Sequence, residues 1–481
     1  MMSQDFKIFA SLLICLALQL ACSQKLSPDY TFISNYHDGR FHEARHQIEQ
    51  YIQNNPDEEL PEIYEIILAK MDRVLLDFSK NETDIKCELQ RWFPGLEEEL
   101  LKLWEESGKL EMKMIDGEKR YFRNAVANLF RIDSMAMEAK AEKEGAVPDP
   151  LGEFCLKHTT DVYNKISSGL AIDDLTRKFQ VEFTITLPAG VVPAGEIIRC
   201  WLPYPRESLP RQRNVELLSV NSENYILSGN NSLQRSLYIE KESIAGQDAI
   251  FSYKATFETS PQWIDIGSDK IKPYDTSSEL FRTYTSQRPP HIFFSDEIKK
   301  LAHEITYGMQ DPAAKVNAIY YWINQNIPWA SALEYSIMDN ISEYVLRNRR
   351  GDCGMQTLLF LTLARHSGIP CKWQSGWMLH PGEVNLHDWA EVYYEGIGWV
   401  PLDQSFGLQD SDNEHVKNFY VSGIDAWRMI VNDEYSSEFI PAKTFYRSEP
   451  VDFQRGEVEW KGGNLYFNKW KYNMRVVQLL P

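Results

Sequence analysis

The chain has 481 residues, with 69 acidic against 50 basic side chains and a formal charge of -19. That length exceeds what one hydrophobic core fills, so several domains are expected. The acidic balance excludes nucleic acid and anionic membrane surfaces as partners, and no low-complexity tract or internal repeat marks a fibrous or solenoid protein.

Residues 1–22 read as an export signal. Lys7 gives a positive start, residues 8–20 an apolar stretch too short for a stable membrane span, and Ala21-Cys22-Ser23 a cleavage zone of small residues. Leu18-Gln19-Leu20-Ala21-Cys22 resembles a bacterial lipoprotein signal, which implies lipidation at Cys22, a membrane contact through that lipid, and residence in the cell envelope, in the periplasm or at the outer membrane. The alternative is ordinary cleavage after Ser23, and both routes export the chain. Export places the other cysteines in an oxidising compartment. Cys87, Cys155, Cys200, Cys353 and Cys371 are odd in number, which leaves one free reactive thiol; the other four are expected as buried thiols with room for a single bridge.

Residues 23–165 form an expected helical N-terminal domain. Amphipathic periodicity runs through 42–52, 59–78, 84–93 and 96–107, broken by Asn-Pro, Asn-Glu and Pro-Gly signals. Residues 110–122 then alternate around Asp116-Gly117, a hairpin signal. The order of helices and hairpin is reminiscent of a winged helix, but acidity and export point to a structural or partner-docking role.

The period changes to two from Lys178. Residues 179–187, 197–202, 215–220, 237–240 and 249–257 read as short strands between Gly, Pro and Asn, which predicts a β-sandwich-like domain over 175–262. A polar, Pro-containing linker follows over 260–290, and the last domain is expected over 275–481. It opens with helices at 296–306 and 313–324, the second capped by Asp311 with Pro312 at its first turn. Trp322 and Trp329 in this region are expected as core.

The stretch 349–406 carries the chemistry. Cys353 follows Gly351-Asp352 and opens an apolar run that reads as a buried helix, stopped by Gly368 and Pro370. A thiol at a helix N-terminus faces unpaired N–H groups, which favour thiolate. His387 begins an alternating stretch that reads as a strand, and Gly396-Ile397-Gly398 turns the chain back toward Asp403. These three residue types suit nucleophilic acyl chemistry: Cys353 attacks a carbonyl, His387 carries the proton to the leaving amine, and Asp403 fixes the imidazole. The Cys353 backbone N–H is the first expected oxyanion donor. A same-face arrangement of His387 and Asp403 needs an odd number of loop residues or a bulge. His380, Pro381-Gly382 and Glu383 lack the helical spacing that aligns a zinc site, so no metal and no cofactor are expected.

Gly351-Asp352-Cys353-Gly354, Ala364-Arg365-His366-Ser367-Gly368-Ile369-Pro370, His387-Asp388-Trp389-Ala390-Glu391-Val392-Tyr393 and Gly398-Trp399-Val400-Pro401-Leu402-Asp403 together resemble the core of the transglutaminase-like superfamily, relatives of papain. The resemblance runs from about 296 to 406. It implies an α+β chain that ends in a papain-like, transglutaminase-like core, with Cys353, His387 and Asp403 as a catalytic triad. Asp388 departs from the usual Ala or Ser and adds a charge beside the base; Cys371-Lys372 and Gln404 are further departures. The implied reaction is acyl transfer from a carboxamide, a peptide bond or a glutamine side chain, through a thioester. Hydrolysis is favoured, since water outnumbers free amines; transglutaminase-type amine transfer and a non-catalytic binding or scaffold module are the alternatives. A peptide or protein substrate is the expected partner. Past Asp403, residues 457–467 read as a closing hairpin and 470–480 as a strand, both expected to complete or cover the catalytic sheet.

Overall fold

The computed structural model describes residues 30–57, 60–145 and 148–479. The export segment with Cys22 lies outside the described residues. Helix and sheet are mixed as expected, with helices dominating the N-terminal region. Among the described residues, 30–71 with 114–118 form one compact unit and the remainder forms a second.

The first unit is held by aromatic packing. Helices Thr31–His37 and Phe41–Asn54 bury Phe32, Tyr36, Phe41, Ala44 and Ile48, and the Tyr64 ring stacks on Phe32 and Tyr51 at centroid distances of 4.4 and 4.6 Å. The expected turn at Asp116-Gly117 is present. Its two residues have φ of 49° and 83°, the left-handed pair that matches the twist of a two-residue hairpin.

In the second unit, the alternating region folds into strands β1 (Arg177–Leu187), β2 (Ile197–Pro203), β3 (Gln212–Val220), β4 (Tyr225–Leu227), β5 (Ser236–Glu242) and β6 (Ala249–Thr259). Phe179, Val181, Phe183, Ile185 and Leu187 all point inward, as period two dictates, and meet Ile198, Cys200 and Leu202 of β2 and Phe251, Tyr253 and Phe257 of β6 in one core. Residues 260–290 are no free linker. They include a helix, Glu279–Thr285, capped by the Ser278 side chain, and Tyr274 Oη donates to the Tyr393 carbonyl at 2.8 Å.

Four helices then prepare the site: α1 (Asp296–Ile305), α2 (Pro312–Asn326), α3 (Ile341–Asn348) and α4 (Cys353–His366). Asp311 caps α2 with Pro312 at its first turn, as the sequence predicts. Helix α3 was not expected from the pattern; Asn340 caps its start, and Arg349, at φ 53°, ends it just before the Gly351-Asp352 turn. Helix α4 is buried from Gly354 to Arg365, which its all-round apolar sequence requires. Strands β7 (Cys371–His380), β8 (Glu383–Tyr394), β9 (Gly398–Leu402) and β10 (Arg428–Asn432) form an antiparallel sheet in the order β9-β8-β7-β10 against this helix. Trp377 and Leu379, at the far end of β7, enter the core shared with β1 and β6.

The C-terminal strands correct an expectation. Strands β11 (Glu457–Trp460), β12 (Gly463–Leu465) and β13 (Lys471–Leu479) do not join the catalytic sheet. β11 pairs with β2, and β13 pairs with β1 along its whole length, from Lys471 opposite Thr186 to Leu479 opposite Lys178. The sandwich therefore consists of the sheets β13-β1-β6-β3 and β12-β11-β2-β5-β4, closed by residues more than 200 positions downstream. Both β1 and β2 would otherwise leave a row of unpaired backbone groups at a sheet edge. The sheet of β7, β8 and β9 takes β10 instead.

Candidate active site

Cys353 is the first residue of α4 and is half-buried. Asp352 is the N-cap: its carboxylate accepts the Met355 N–H at 3.0 Å and the Tyr335 hydroxyl at 2.5 Å. The positive end of the helix is thus already answered by a carboxylate beside the sulfur. The Cys353 thiol donates to Asp388 Oδ2 at 3.4 Å. Burial pushes the thiol well above its ordinary range, and the nearby Asp388 and Asp352 carboxylates push it further in the same direction. Burial and the two carboxylates thus oppose the thiolate that a helix N-terminus favours. Gly354 leaves the room for this contact, because a Cβ there would come 2.3 Å from Tyr335 Oη and 2.7 Å from Asp388 Oδ2.

His387 and Asp403 do come together. His387 Nε2 lies 2.7 Å from Asp403 Oδ2, both groups buried. The register explains it: Ala390 pairs with Leu402, Tyr394 with Gly398, and the loop between β8 and β9 holds the three residues 395–397. That odd count brings Asp403 to the side of the strand that carries Trp389 and His387, with no bulge needed in this pair. Opposite His387 stands Gly376, where any Cβ would sit 1.9 Å from the Met429 carbonyl oxygen. The close approach of β10 at this point therefore requires glycine.

Arg428 of β10 is the functional residue that sequence reasoning missed. It is fully buried and bridges two carboxylates, Nη1 lying 2.8 Å from Asp403 Oδ2 and Nη2 2.7 Å from Asp425 Oδ2. Its guanidinium lies over the Phe406 ring at 4.1 Å. Burial alone would raise the Asp403 carboxyl, but His387 and Arg428 hold it below its usual range. Burial lowers His387, assisted by the Arg428 charge and opposed by Asp403, so the imidazole is neutral at neutral pH and able to accept a proton. A basic residue followed directly by Met, Ile and Val in a strand was the one available signal.

Cys353 and His387 are not joined by a hydrogen bond among the described residues. Neighbours on a strand leave the backbone in opposite directions, so His387 turns toward Trp389 and Asp403 while Asp388 turns toward α4. His380, considered with Glu383 and His387 as a metal motif, is buried with Nε2 3.2 Å from Asp425 Oδ1 and its ring beside Phe406. Among the described residues no group of three or more His, Cys, Asp or Glu side chains is arranged to hold a metal ion. Of the other cysteines, Cys155, Cys200 and Cys371 are buried free thiols, while Cys87 is exposed, against the expectation that all four are buried. Trp329 is 44% exposed, with Arg131 over its ring at 4.7 Å, and is not core.

Residues 299–404 match the model of the transglutaminase-like superfamily, and this segment is a transglutaminase-like core domain. Among curated proteins, the chain is 24% identical over 160 residues to the uncharacterized protein YebA of Bacillus subtilis (strain 168), a match covering 29% of this chain and about a fifth, 21%, of that one. Among solved structures, it is similar to a Cytophaga hutchinsonii protein provisionally named a cysteine protease, at 14% identity and a TM-score of 0.43, covering 64% of this chain and 92% of that one. It is also similar to the periplasmic domain of TgpA from Pseudomonas aeruginosa, at 12% identity and a TM-score of 0.23, covering 52% and 93%.

Proposed function

We propose that the chain is a cysteine-dependent hydrolase of carboxamides, with Cys353 as nucleophile, His387 as proton carrier and Asp403 as its anchor. The observation that carries the reading is the buried His387–Asp403 pair at 2.7 Å, one strand residue from the position that Cys353 touches. A neutral imidazole whose partner carboxylate is held ionised by Arg428 is the state a general base needs. In the reaction, the sulfur gives its proton to His387 and attacks the carbonyl carbon. The C–N bond breaks, the amine leaves with the proton from the imidazolium, and water then cleaves the thioester to a carboxylic acid and the free thiol. The reading requires β8 and the start of α4 to rearrange when substrate enters, because His387 leaves the strand on the face opposite to the one Asp388 turns toward Cys353. Water is the default acceptor, because a thioester formed at the end of a sheet meets far more water than amine unless the site excludes it.

Export, with lipidation at Cys22, belongs to the same proposal and is supported by the sequence of the first 22 residues. Among the described residues no helix is long and apolar enough to cross a membrane.

The Cys353–Asp388 hydrogen bond favours a second reading, a binding or scaffold module whose thiol is structural. Incubation of the mature chain with peptide amides separates the readings. Ammonia or new amino termini should appear without added amine and disappear in Cys353→Ala and His387→Ala. Turnover that requires a primary amine and incorporates it covalently would establish transamidation instead, and turnover indifferent to Cys353→Ala, or none in any form, would favour the scaffold.

A further inference from the structure

We propose that Asp388 is a restraint on the nucleophile: it holds Cys353 as a resting thiol through the 3.4 Å contact from Sγ to its Oδ2 and so sets the pH at which the sulfur becomes reactive. The inference deepens the hydrolase reading and rests on it only for its catalytic consequence.

Asp388 is itself fixed. Gln454 Nε2 donates to Asp388 Oδ1 at 2.7 Å and to the His387 carbonyl at 2.9 Å, so one amide from the C-terminal segment clamps the strand at both residues. With Oδ1 occupied, Oδ2 remains aimed at the sulfur. The groups packed around this pair are acidic from every side. Helix α4 contributes Asp352, the loop before α3 contributes Tyr335 and Glu334, and the C-terminal segment contributes Glu449 and Asp452.

Arg455 acts on Asp452 and Glu449 of this cluster, and it is already engaged: its Nη2 lies 2.7 Å from Glu334 Oε2 and its Nε 2.8 Å from Glu449 Oε1. Among the described residues no cation pairs with Asp388. Burial, then Asp452 and Asp352, raise its carboxyl well above the usual range, while burial, then Asp388 and Asp352, raise the thiol. At the alkaline pH where the thiol titrates the carboxyl is ionised, and a carboxylate in contact with sulfur opposes thiolate by direct repulsion. The resemblance to transglutaminase-like cores places Ala or Ser at this position, so the restraint is a feature of this chain and not a requirement of the motif.

The test is the pH dependence of Cys353 alkylation in the mature chain, followed by mass spectrometry after iodoacetamide, with the exposed Cys87 as internal reference in every sample. In the native chain, labelling of Cys353 should rise only at alkaline pH. Asp388→Asn, which preserves size and the Gln454 contact, should move the rise about one pH unit or more toward acid and speed labelling at neutral pH about tenfold. Gln454→Ala, which frees the carboxyl, should move it the same way by less. An unchanged or slower profile in Asp388→Asn, with Cys87 labelling as in the native chain, overturns the proposal. The two readings fail separately. If Asp388→Asn shifts the profile but no variant hydrolyses an amide, the restraint stands and the hydrolase reading falls. If hydrolysis depends on Cys353 and His387 while the profile ignores Asp388, the hydrolase stands and the restraint falls.

Discussion

His387 and Asp388 are adjacent in sequence, yet their side chains enter opposite electrostatic environments. On the His387 side every buried charge is answered: Asp403 and Asp425 share Arg428, and the imidazole closes the chain of contacts. On the Asp388 side, Asp352 and Asp388 crowd a thiol and Asp452 adds to the charge on Asp388, while Arg455 serves Glu334 and Glu449. Burial penalises charge in both places, and the two sides differ in what compensates it. One side is arranged to keep a carboxylate ionised and a base ready; the other keeps protons on sulfur and oxygen.

The largest effect should come from breaking the compensated side. Arg428→Leu leaves Asp403 and Asp425 buried without their cation and should cost about 3–5 kcal/mol in denaturant unfolding. A loss below about 1 kcal/mol would mean that the carboxylates find other partners and that the contrast between the two sides is weaker than the distances suggest. Gly376→Ala, which drives a Cβ into the Met429 carbonyl opposite His387, should cost about 1–3 kcal/mol and disturb the His387–Asp403 pair, read as a changed histidine titration by NMR.

The smallest effect sharpens the comparison through pH. Asp403, held low, contributes stability present above the unfolded carboxylate range and lost as pH falls through its folded value. Asp352 has the opposite sign: burial raises it to about 6, so the stability linked to its proton is complete below the unfolded value and is lost as pH rises through about 6. Asp352→Asn keeps a capping oxygen and should flatten the decline in stability between about pH 4 and about pH 6 while leaving the acid limb unchanged. An identical curve in native chain and variant would remove Asp352 from the uncompensated cluster.

Local signals sufficed for much of this protein. The apolar run after Cys353 with Gly368 and Pro370 at its end, the Asp311-Pro312 start of α2, the alternation from Phe179 to Leu187 and the Asp116-Gly117 turn each encode an element within a few residues, because caps, turns and side-chain periodicity act at short range. The order and spacing of the motif blocks also specified a transglutaminase-like core, while the register that sets His387 and Asp403 on one side of the hairpin came from the three-residue loop in the fold. Tertiary structure decided the rest. No local feature says that β13 pairs with β1 rather than with the catalytic sheet, for backbone groups are alike everywhere and the choice depends on which edge is left open after the core has formed. Nor does the sequence show that Arg428 reaches Asp403, that Asp388 and Asp352 converge on Cys353, or that Asp452 acts on Asp388. The protonation of a buried group is set by the sum of charges around it, and those charges come from residues that only the fold brings together.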